Sequence, residues 1–282
     1  MRIGLIGCGR MGGGMAARLA ETGAEPICWD ADEIARANAA AAGRTVAGSL
    51  AEATDVDLLI LSLPNAAAVR AAMKDAAQAL PPGAIVLDTT TSDPATSRDM
   101  ATMGAASGWT FLDAPVSGGP TGARSGTMTM LMGGDETALN SVRSTLERLS
   151  ATIVHVGGPG AGHAAKVANN MLCAANLSLV AEATKMAAAA GVAPEKLMEA
   201  VNAGSGRSGV SEVNFPRWVL SQTFDSGFTM GLMRKDVALA AALAAETGVE
   251  TPAFGPIAKL WADSREALAD DADFNEITGM KS

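Results

Sequence analysis

Three glycines at fixed spacing follow the first apolar run of the chain, and they constrain the fold more than any other feature. The run RIGLIG covers residues 2–7, and GCGRMG at 7–12 has the spacing G-x-G-x-x-G, with a helix predicted at 11–22. The first glycine permits a tight turn, the second lets the backbone approach a pyrophosphate, and the third lets the helix pack against the strand. A strand, this loop and a helix in that order predict a dinucleotide-binding unit. Its contacts are expected from Gly7, Gly9, Arg10, Met11 and Gly12.

An acidic residue ends the second predicted strand, EPICWD at 25–30. Asp30 lies 18 residues after Gly12, where a carboxylate is placed to bind the adenine ribose hydroxyls. A carboxylate there repels the additional phosphate of NADP, and the next residue, Ala31, offers no cation to hold it. The sequence therefore favours NAD over NADP. An alternative is that Asp30 caps the following helix, although Asp32 can also do this.

Strands and helices alternate along the first half of the chain. Strands are predicted at 25–30 and 56–64, and a turn followed by a further strand at 81–90. Helices are predicted at 65–80 and 94–107, and two more strands at 127–134 and 152–157 flank a helix at 135–149. This alternation predicts an α/β fold with a doubly wound parallel sheet of the Rossmann type over residues 1–160. Only helices are predicted after that, at 163–190, 191–204, 229–247 and 253–268. Residues 161–282 are therefore expected to form an all-helical domain, joined to the first by its long first helix.

Composition excludes several classes of protein. A chain of 282 residues with 48% hydrophobic residues can build a large core, and its net charge of −9 argues against non-specific nucleic-acid binding. No apolar run reaches the roughly 18 residues of a membrane span. Three cysteines without paired spacing predict buried thiols in a cytoplasmic protein. Two histidines, His155 and His163, are too few for a multi-histidine metal site, and the lack of tyrosine excludes a Tyr–Lys catalytic pair. Lysine is then the main candidate for proton transfer.

A polar cluster interrupts the apolar start of the long helix. In GHAAKVANN at 162–170, Asn169 and Asn170 follow Lys166 at i+3 and i+4, which places the three polar groups on one side of a helix. Asparagine is a mediocre helix former, so the cluster is costly unless it has a use. The residues alone leave two interpretations open, a cluster that faces a ligand and a cluster that faces water.

Several motifs in this order resemble the β-hydroxyacid dehydrogenase family, which includes 3-hydroxyisobutyrate dehydrogenase and tartronate semialdehyde reductase. The resemblance covers nearly the whole chain. It rests on the opening IGLIGCGRMGGGMAARL, LPN at 63–65, DTTT at 88–91, DAPVSGGPTGARSGT at 113–127, GHAAKVANN at 162–170 and MRKDVALA at 233–240. Cys8 departs from the family's pattern, in which leucine is usual.

The resemblance implies a role for individual residues. Lys166 would be the catalytic acid/base, and Asn170 would orient the substrate and Lys166. The substrate carboxylate would be bound by Ser117, Gly118 and Gly119, where the two glycines allow backbone N–H groups to converge on an anion. Further cofactor contacts would come from Leu63, Pro64, Asn65 and Thr91, with Lys235 near the nicotinamide half.

The implied reaction is NAD-dependent oxidation of a short 3-hydroxy acid to its semialdehyde, or the reverse. A lysine can accept the hydroxyl proton if burial and a nearby cation lower its pKa from about 10.4 toward neutrality. The substrate would bind at the domain junction, and the family's habit implies a homodimer or homotetramer formed through the helical domain. One alternative is an NADPH-linked reductase of glyoxylate, succinic semialdehyde or tartronate semialdehyde. Another is a non-catalytic nucleotide-sensing module, which would be expected to lack Lys166 or the carboxylate loop.

Two charged residues keep two interpretations each. Asp236 either tethers its neighbour Lys235 or caps a helix, and Arg124 either assists an acidic substrate or forms an exposed ion pair. Both histidines are expected to be structural.

Overall fold

The computed structural model describes residues 1–280, which form two compact units. One unit runs from Met1 to Lys166 and the other begins at Val167. The sequence places the boundary between domains at residue 160.

Residues 1–166 contain a nine-stranded sheet. Its strands are β1 (Ile3–Ile6), β2 (Ile27–Trp29), β3 (Thr45–Val46), β4 (Leu58–Leu61), β5 (Ile85–Asp88), β6 (Thr110–Asp113), β7 (Val116–Ser117), β8 (Met128–Gly133) and β9 (Ser150–Gly157). The order along the sheet is β3-β2-β1-β4-β5-β6-β8-β7, with β9 paired to β8. Strands β1 to β6 are parallel to one another, and β8 runs antiparallel to β6 and β7. This is the doubly wound Rossmann order predicted from the sequence, extended at one edge.

Helices connect these strands and cover the sheet. They are α1 (Arg10–Glu21), α2 (Glu33–Ala41), α3 (Leu50–Thr54), α4 (Ala66–Ala76), α5 (Pro94–Ser107), α6 (Gly119–Ser125) and α7 (Glu136–Leu149). Side chains of Asp32, Ser49, Asn65, Asp93 and Asp135 accept hydrogen bonds from backbone N–H groups at the starts of α2, α3, α4, α5 and α7. Helix α8 (Ala161–Ala189) begins in this unit.

The central strands are apolar without interruption because both faces of the sheet are buried. In β4, Leu58 and Ile60 pack in one hydrophobic cluster, and Leu59 and Leu61 pack in a second cluster. None of the four side chains is exposed to solvent. The pattern is typical of a parallel sheet covered by helices on both sides.

Short elements were missed by the sequence patterns. Strands β3 and β7 have two residues each, and α6 has seven, so none is long enough to show a period. Strand β6 lies in WTFLDAPVSGG, which does not show the expected alternation, because the chain turns at Pro115 and its glycines soon after the strand ends.

The unit that begins at Val167 is helical. It contains most of α8, followed by α9 (Pro194–Ala203), a π-helical segment (Val210–Val219), α10 (Met230–Thr247), α11 (Phe254–Asp263) and two 3₁₀ turns (Ser264–Glu266 and Phe274–Gly279). Its core is built around the fully buried Trp261, whose indole N–H donates to the carbonyl of Ala174 at 3.3 Å. The π-helical segment was not predicted. It contains Pro216, which cannot donate a backbone hydrogen bond. None of the helices in the described part of the chain is long and apolar enough to cross a membrane.

Candidate active site

The glycine loop after β1 has the geometry that its spacing predicts. Gly7 has a φ of +100°, and a Cβ there would lie 2.2 Å from the carbonyl oxygen of Ser62. A Cβ at Gly12 would lie 1.8 Å from the carbonyl oxygen of Gly7. A Cβ at Gly9, in contrast, would meet no atom within 4 Å. Packing therefore requires glycine at the first and third positions, whereas the second leaves space beside the backbone for another molecule.

Helix α1 begins at this space with no side chain capping it. Its N-cap residue is Gly9, which has no side chain to accept a hydrogen bond from the N–H groups of the first turn. The N–H groups at a helix start have no intrahelical acceptors, and together with the helix dipole they favour an anion. The loop also lies between β1 and β4, where the strand order reverses and open α/β sheets bind their ligands. The residues present therefore fit the pyrophosphate of a dinucleotide.

Asp30 is held in place immediately after β2. Its carboxylate accepts hydrogen bonds from the backbone N–H of Cys8 at 2.7 Å and from that of Asp32 at 2.9 Å. The cap of α2 is Asp32, which accepts from Ile34 N–H at 2.9 Å. The capping interpretation of Asp30 is therefore wrong, and its carboxylate is instead tied to the phosphate loop.

A cation that sequence reasoning missed lies beside Asp30. Arg36, on α2, donates to the carbonyl oxygen of Asp30 at 2.6 Å and to that of Ala31 at 3.2 Å. In the sequence, only Ala31, the residue after Asp30, was considered as a possible cation. Helix α2 brings the Arg36 side chain, six positions after Asp30, back to the end of β2. The signal was available in the cap at Asp32, which sets where that helix begins.

Cys8, in the phosphate loop, differs from the expected buried thiol. Cys8 is half-buried, whereas Cys28 on β2 is fully buried. The neighbouring Cys28 thiol lowers the pKa of Cys8, and the Cys8 thiol together with burial raises the pKa of Cys28.

The loops after β4 and β5 lie next to each other because these strands are parallel neighbours. The backbone N–H of Leu63 donates to the hydroxyl of Thr90 at 3.1 Å. The side chain of Asn65 caps α4 by accepting from Ala68 N–H at 3.0 Å. Thr91, the residue after Thr90, is half-buried. These loops thus share the carboxyl edge of the sheet with the phosphate loop.

The segment VSGG at 116–119 contains β7 and the start of α6. Gly118 and Gly119 have φ values of +120° and +61°, a region that favours glycine, and α6 begins at Gly119 without a side-chain cap. A Cβ at Gly119 would meet no atom within 4 Å. The positive φ values explain the two glycines, and the free helix start explains how an anion could be bound here.

Lys166 is buried, with 6% of its surface exposed. Its ammonium group donates to the hydroxyl of Ser117 at 2.9 Å. The interpretation in which Lys166 faces water is therefore wrong. The structure brings together the residue expected to move a proton and a residue expected to bind the carboxylate, although 49 positions separate them.

The second unit holds a polar group on α8 and α10. Asn170 is 5% exposed, and its amide N–H donates to the carboxylate of Asp236. The side chain of Asn169 donates to the amide oxygen of Asn170 at 3.0 Å, and the Lys235 ammonium lies 3.5 Å from Asp236. Asp236 is therefore not a helix cap, because it lies inside α10, and it pairs with Lys235 and also fixes the orientation of the Asn170 amide.

Arg124 forms an ion pair with Glu21, and both side chains are about half-exposed. The expectation of an exposed ion pair is confirmed.

The strand ends β5 and β6 carry buried polar residues that the sequence did not single out. Asp88 and Asp113 are register partners with no exposed surface. Burial raises the pKa of Asp88. His163 is also fully buried and hydrogen-bonded at both ring nitrogens, as its structural interpretation predicted. Like Asp30, Asp88 and Asp113 stand where a strand ends, and an acidic residue at that position is the sequence feature that could have identified them.

Comparison with known proteins agrees with this geometry. Residues 2–157 match the family model of the NAD-binding domain of 6-phosphogluconate dehydrogenase. Residues 160–280 match the family model described as the NAD-binding domain of NADP-dependent 3-hydroxyisobutyrate dehydrogenase.

Individual relatives match over most of their length. The chain is 34% identical to 2-(hydroxymethyl)glutarate dehydrogenase of Eubacterium barkeri over 89% of this chain and 85% of the relative. It is 33% identical to a probable 3-hydroxyisobutyrate dehydrogenase of Mycobacterium tuberculosis over 97% and 94%. The solved structure of M. tuberculosis 3-hydroxyisobutyrate dehydrogenase with L-serine superimposes with a TM-score of 0.92 at 32% identity, covering 99% of both chains. The chain belongs to the β-hydroxyacid dehydrogenase family of NAD(P)-dependent oxidoreductases.

Proposed function

We propose that the chain oxidises a short 3-hydroxy acid to its semialdehyde with NAD, or catalyses the reverse reduction, with Lys166 as the general acid/base. The observation that carries this proposal is the buried Lys166 ammonium at 2.9 Å from the Ser117 hydroxyl. A buried amine beside a loop suited to anions can serve both proton transfer and carboxylate binding. The relatives named above are dehydrogenases of hydroxy acids, and one was determined with L-serine, itself a short 3-hydroxy acid.

The nicotinamide cofactor, when bound, accepts or returns the hydride. The remaining chemistry falls to the protein. During oxidation, uncharged Lys166 accepts the proton of the substrate hydroxyl at Nζ, and during reduction the Lys166 ammonium returns a proton to the forming alkoxide.

The substrate carboxylate is assigned to Ser117, Gly118 and Gly119. The Ser117 hydroxyl donates one hydrogen bond to the carboxylate, and backbone N–H groups at the start of α6 supply others. The Asn170 amide orients the substrate oxygen. Its hydrogen bonds with Asp236 and Asn169 fix the positions of the amide nitrogen and the amide oxygen. Lys235 is assigned to the nicotinamide half, as the family resemblance implies.

NAD is proposed in preference to NADP because of Asp30. Its carboxylate is fixed by two backbone N–H groups at the end of β2, and a fixed negative charge there opposes a ribose phosphate. The alternative, an NADP-linked semialdehyde reductase, has one observation in its favour, the Arg36 guanidinium beside Asp30. Both bonds from Arg36 go to backbone carbonyls rather than to the Asp30 carboxylate.

We also propose a homodimer or homotetramer formed through the helical unit. Leu172, Leu179 and Met186 recur every seven residues on α8 and are 60%, 53% and 72% exposed. A stripe of large apolar side chains at this spacing is typical of a helix that packs against another helix. Light scattering of the wild type and of Leu179→Glu tests this, and a wild type that is monomeric at micromolar concentration would contradict it.

A substrate screen tests the proposed reaction. Purified protein is mixed with NAD or NADP and a panel of 3-hydroxyisobutyrate, glycerate, threonate and related sulfonates, and reduced cofactor is followed by its absorbance. Turnover of at least one short 3-hydroxy acid with NAD is expected. Tight binding of NAD without turnover of any acid, in either direction, would instead support the nucleotide-sensing alternative.

A further inference from the structure

A carboxylate from the sheet holds the start of helix α8. Asp113, the last residue of β6, accepts a hydrogen bond from Gly160 N–H at 2.7 Å and another from His163 N–H at 3.0 Å. These are donors at the helix start that have no acceptor within the helix, and a negative charge is favoured there. Asp113 therefore does the work of a helix cap from about 50 positions away.

Glycines let the helix start come close to this carboxylate. A Cβ at Gly133 would lie 2.6 Å from both carboxylate oxygens of Asp113. A Cβ at Gly162 would lie 2.3 Å from the carbonyl oxygen of Leu131 and 2.8 Å from Asp113 Oδ2. The first turn of α8 thus lies closer to β6 and β8 than any residue with a Cβ would permit, and Lys166 is the residue one turn further along.

The side chain of His163 connects this turn to the loop after β5. Its Nε2 lies 2.7 Å from the carbonyl oxygen of Thr90, and its Nδ1 lies 2.7 Å from the hydroxyl of Ser97. A carbonyl oxygen only accepts, so Nε2 carries the hydrogen, and in the neutral ring Nδ1 accepts from the Ser97 hydroxyl.

The contact continues to the loop after β4. The hydroxyl of Thr90 accepts from the backbone N–H of Leu63 at 3.1 Å. One series of hydrogen bonds therefore runs from the loops that carry Leu63, Asn65 and Thr91, all expected to contact the cofactor, to the helical turn that carries Lys166. Within the first unit, it is a direct polar connection between the cofactor side and the proposed proton acceptor.

We propose that His163 is a positioning residue: its Nε2–Thr90 hydrogen bond fixes the placement of Lys166 relative to the cofactor-side loops. This inference rests on the proposed role of Lys166 and extends it to a residue that touches neither substrate nor cofactor. A displacement of about 1 Å in a reacting group can lower a rate by about two orders of magnitude, so a fully buried bond of this kind has a measurable effect on turnover.

Two substitutions separate the two ring nitrogens. The amide of His163→Gln reaches about as far as Nε2 and retains a donor for Thr90, whereas that of His163→Asn reaches only to the position of Nδ1 and retains the Ser97 contact. Both variants lose the imidazole ring, so a purely structural role predicts similar losses. His155→Gln serves as a control, since His155 lies on β9 and its Nε2 bonds to the carbonyl oxygen of Gly134, away from the loops after β4 and β5.

Kinetics of the variants test the proposal. For His163→Asn we expect kcat to fall about tenfold, with KM for the acid changed less than threefold, because a positioning group acts on the reacting geometry rather than on ground-state binding. His163→Gln is expected to recover most of the lost kcat. Equal losses in the two variants, or no loss in either, would overturn the proposal. Absence of turnover in the wild type would instead be a failure of the proposed reaction.

A spectroscopic measurement covers the case in which the substituted proteins do not fold. With only two histidines in the chain, ¹⁵N-labelled imidazoles give two readily assigned sets of resonances. We expect His163 as the Nε2–H tautomer in the wild type, with shifts that change when NAD is added, while those of His155 do not change. An Nδ1–H tautomer at His163, or NAD binding that leaves its shifts unaltered, would overturn the connection to the cofactor loops.

Discussion

The carboxyl edge of the sheet in the first unit has two halves that are built differently. Around β1, β2 and β4, glycines and backbone N–H groups create the binding surface, and Asp30 is the one site carboxylate there among the residues described. Around β5, β6 and the start of α8, the space is filled by buried polar side chains, among them Asp88, Asp113, His163 and Lys166.

The difference reflects what each half has to do. A pyrophosphate is bound by many weak donors, so backbone groups suffice and side chains would only obstruct them. A group that moves a proton must be a side chain, and burying it is costly unless its polar atoms find partners. The second half therefore needs a network around Lys166, while the first half needs empty space.

The largest expected effect is at Lys166, in the polar half. Lys166→Ala is expected to lower kcat by about 10²–10⁴ while NAD still binds, because the general acid/base is removed and the glycine half is unchanged. Steady-state rates and fluorescence titration with NADH measure the two quantities. A near-normal rate would contradict the assignment of the base.

The glycine half is disrupted by one methyl group. In Gly12→Ala the Cβ would lie 1.8 Å from the carbonyl oxygen of Gly7, so the phosphate loop must move. We expect the free energy of unfolding to fall by roughly 1–3 kcal/mol and NAD affinity to fall with it. Gly9→Ala is the matched control, since its Cβ meets no protein atom, and it should weaken NAD binding without loss of stability. Equal stability losses in both variants would argue against this reading of the loop.

Ser117 links the polar half to the substrate. Ser117→Ala should raise KM for the acid by about 10- to 100-fold and change KM for NAD much less. This factor corresponds to the loss of one hydrogen bond to a charged group. Initial rates at varied acid and varied NAD give both constants. An unaffected KM for the acid would remove Ser117 from the carboxylate site.

Asp30 and Arg36 are expected to determine the preference for NAD over NADP. Asp30→Ala should narrow the preference for NAD over NADP about tenfold, since the charge that opposes the ribose phosphate is gone and Arg36 remains. Adding Arg36→Ala should remove the gained NADP activity. A selectivity that does not change in Asp30→Ala would exclude Asp30 from the ribose contact.

The smallest effect is expected on stability, at Asp88. Burial raises its pKa in the folded protein, so its ionised form opposes folding above the unfolded pKa of about 3.9. Asp88→Asn should therefore be more stable than the wild type at pH 7, and the gain should shrink as the pH falls toward 4. Thermal unfolding from pH 4 to 8 measures the trend, and a gain that grows toward low pH would contradict the sign.

The same contrast explains what the sequence could predict. The phosphate loop was readable because its requirements are local: Gly7, Gly9 and Gly12 lie within six residues, between a strand and a helix. The apolar core strands were readable because burial on both faces removes every polar position.

In the polar half, the family resemblance gave roles to Lys166 and Ser117, and the buried residues that surround them were not predicted. Asp113 and His163 are 50 residues apart, and neither carries a local pattern that indicates the other. Likewise, Arg36 meets Asp30 only through the direction of α2. Partners that are brought together by tertiary structure leave no spacing signal, whereas glycines required by backbone geometry do.

A crystal structure of the protein with NAD and a 3-hydroxy acid from the screen is the most direct test of Lys166 as the acid/base. We expect Lys166 Nζ within hydrogen-bond reach of the substrate hydroxyl, about 2.6–3.2 Å, and the carboxylate on Ser117. A Lys166 amine turned into bulk solvent, with the hydroxyl bound by another group, would contradict it.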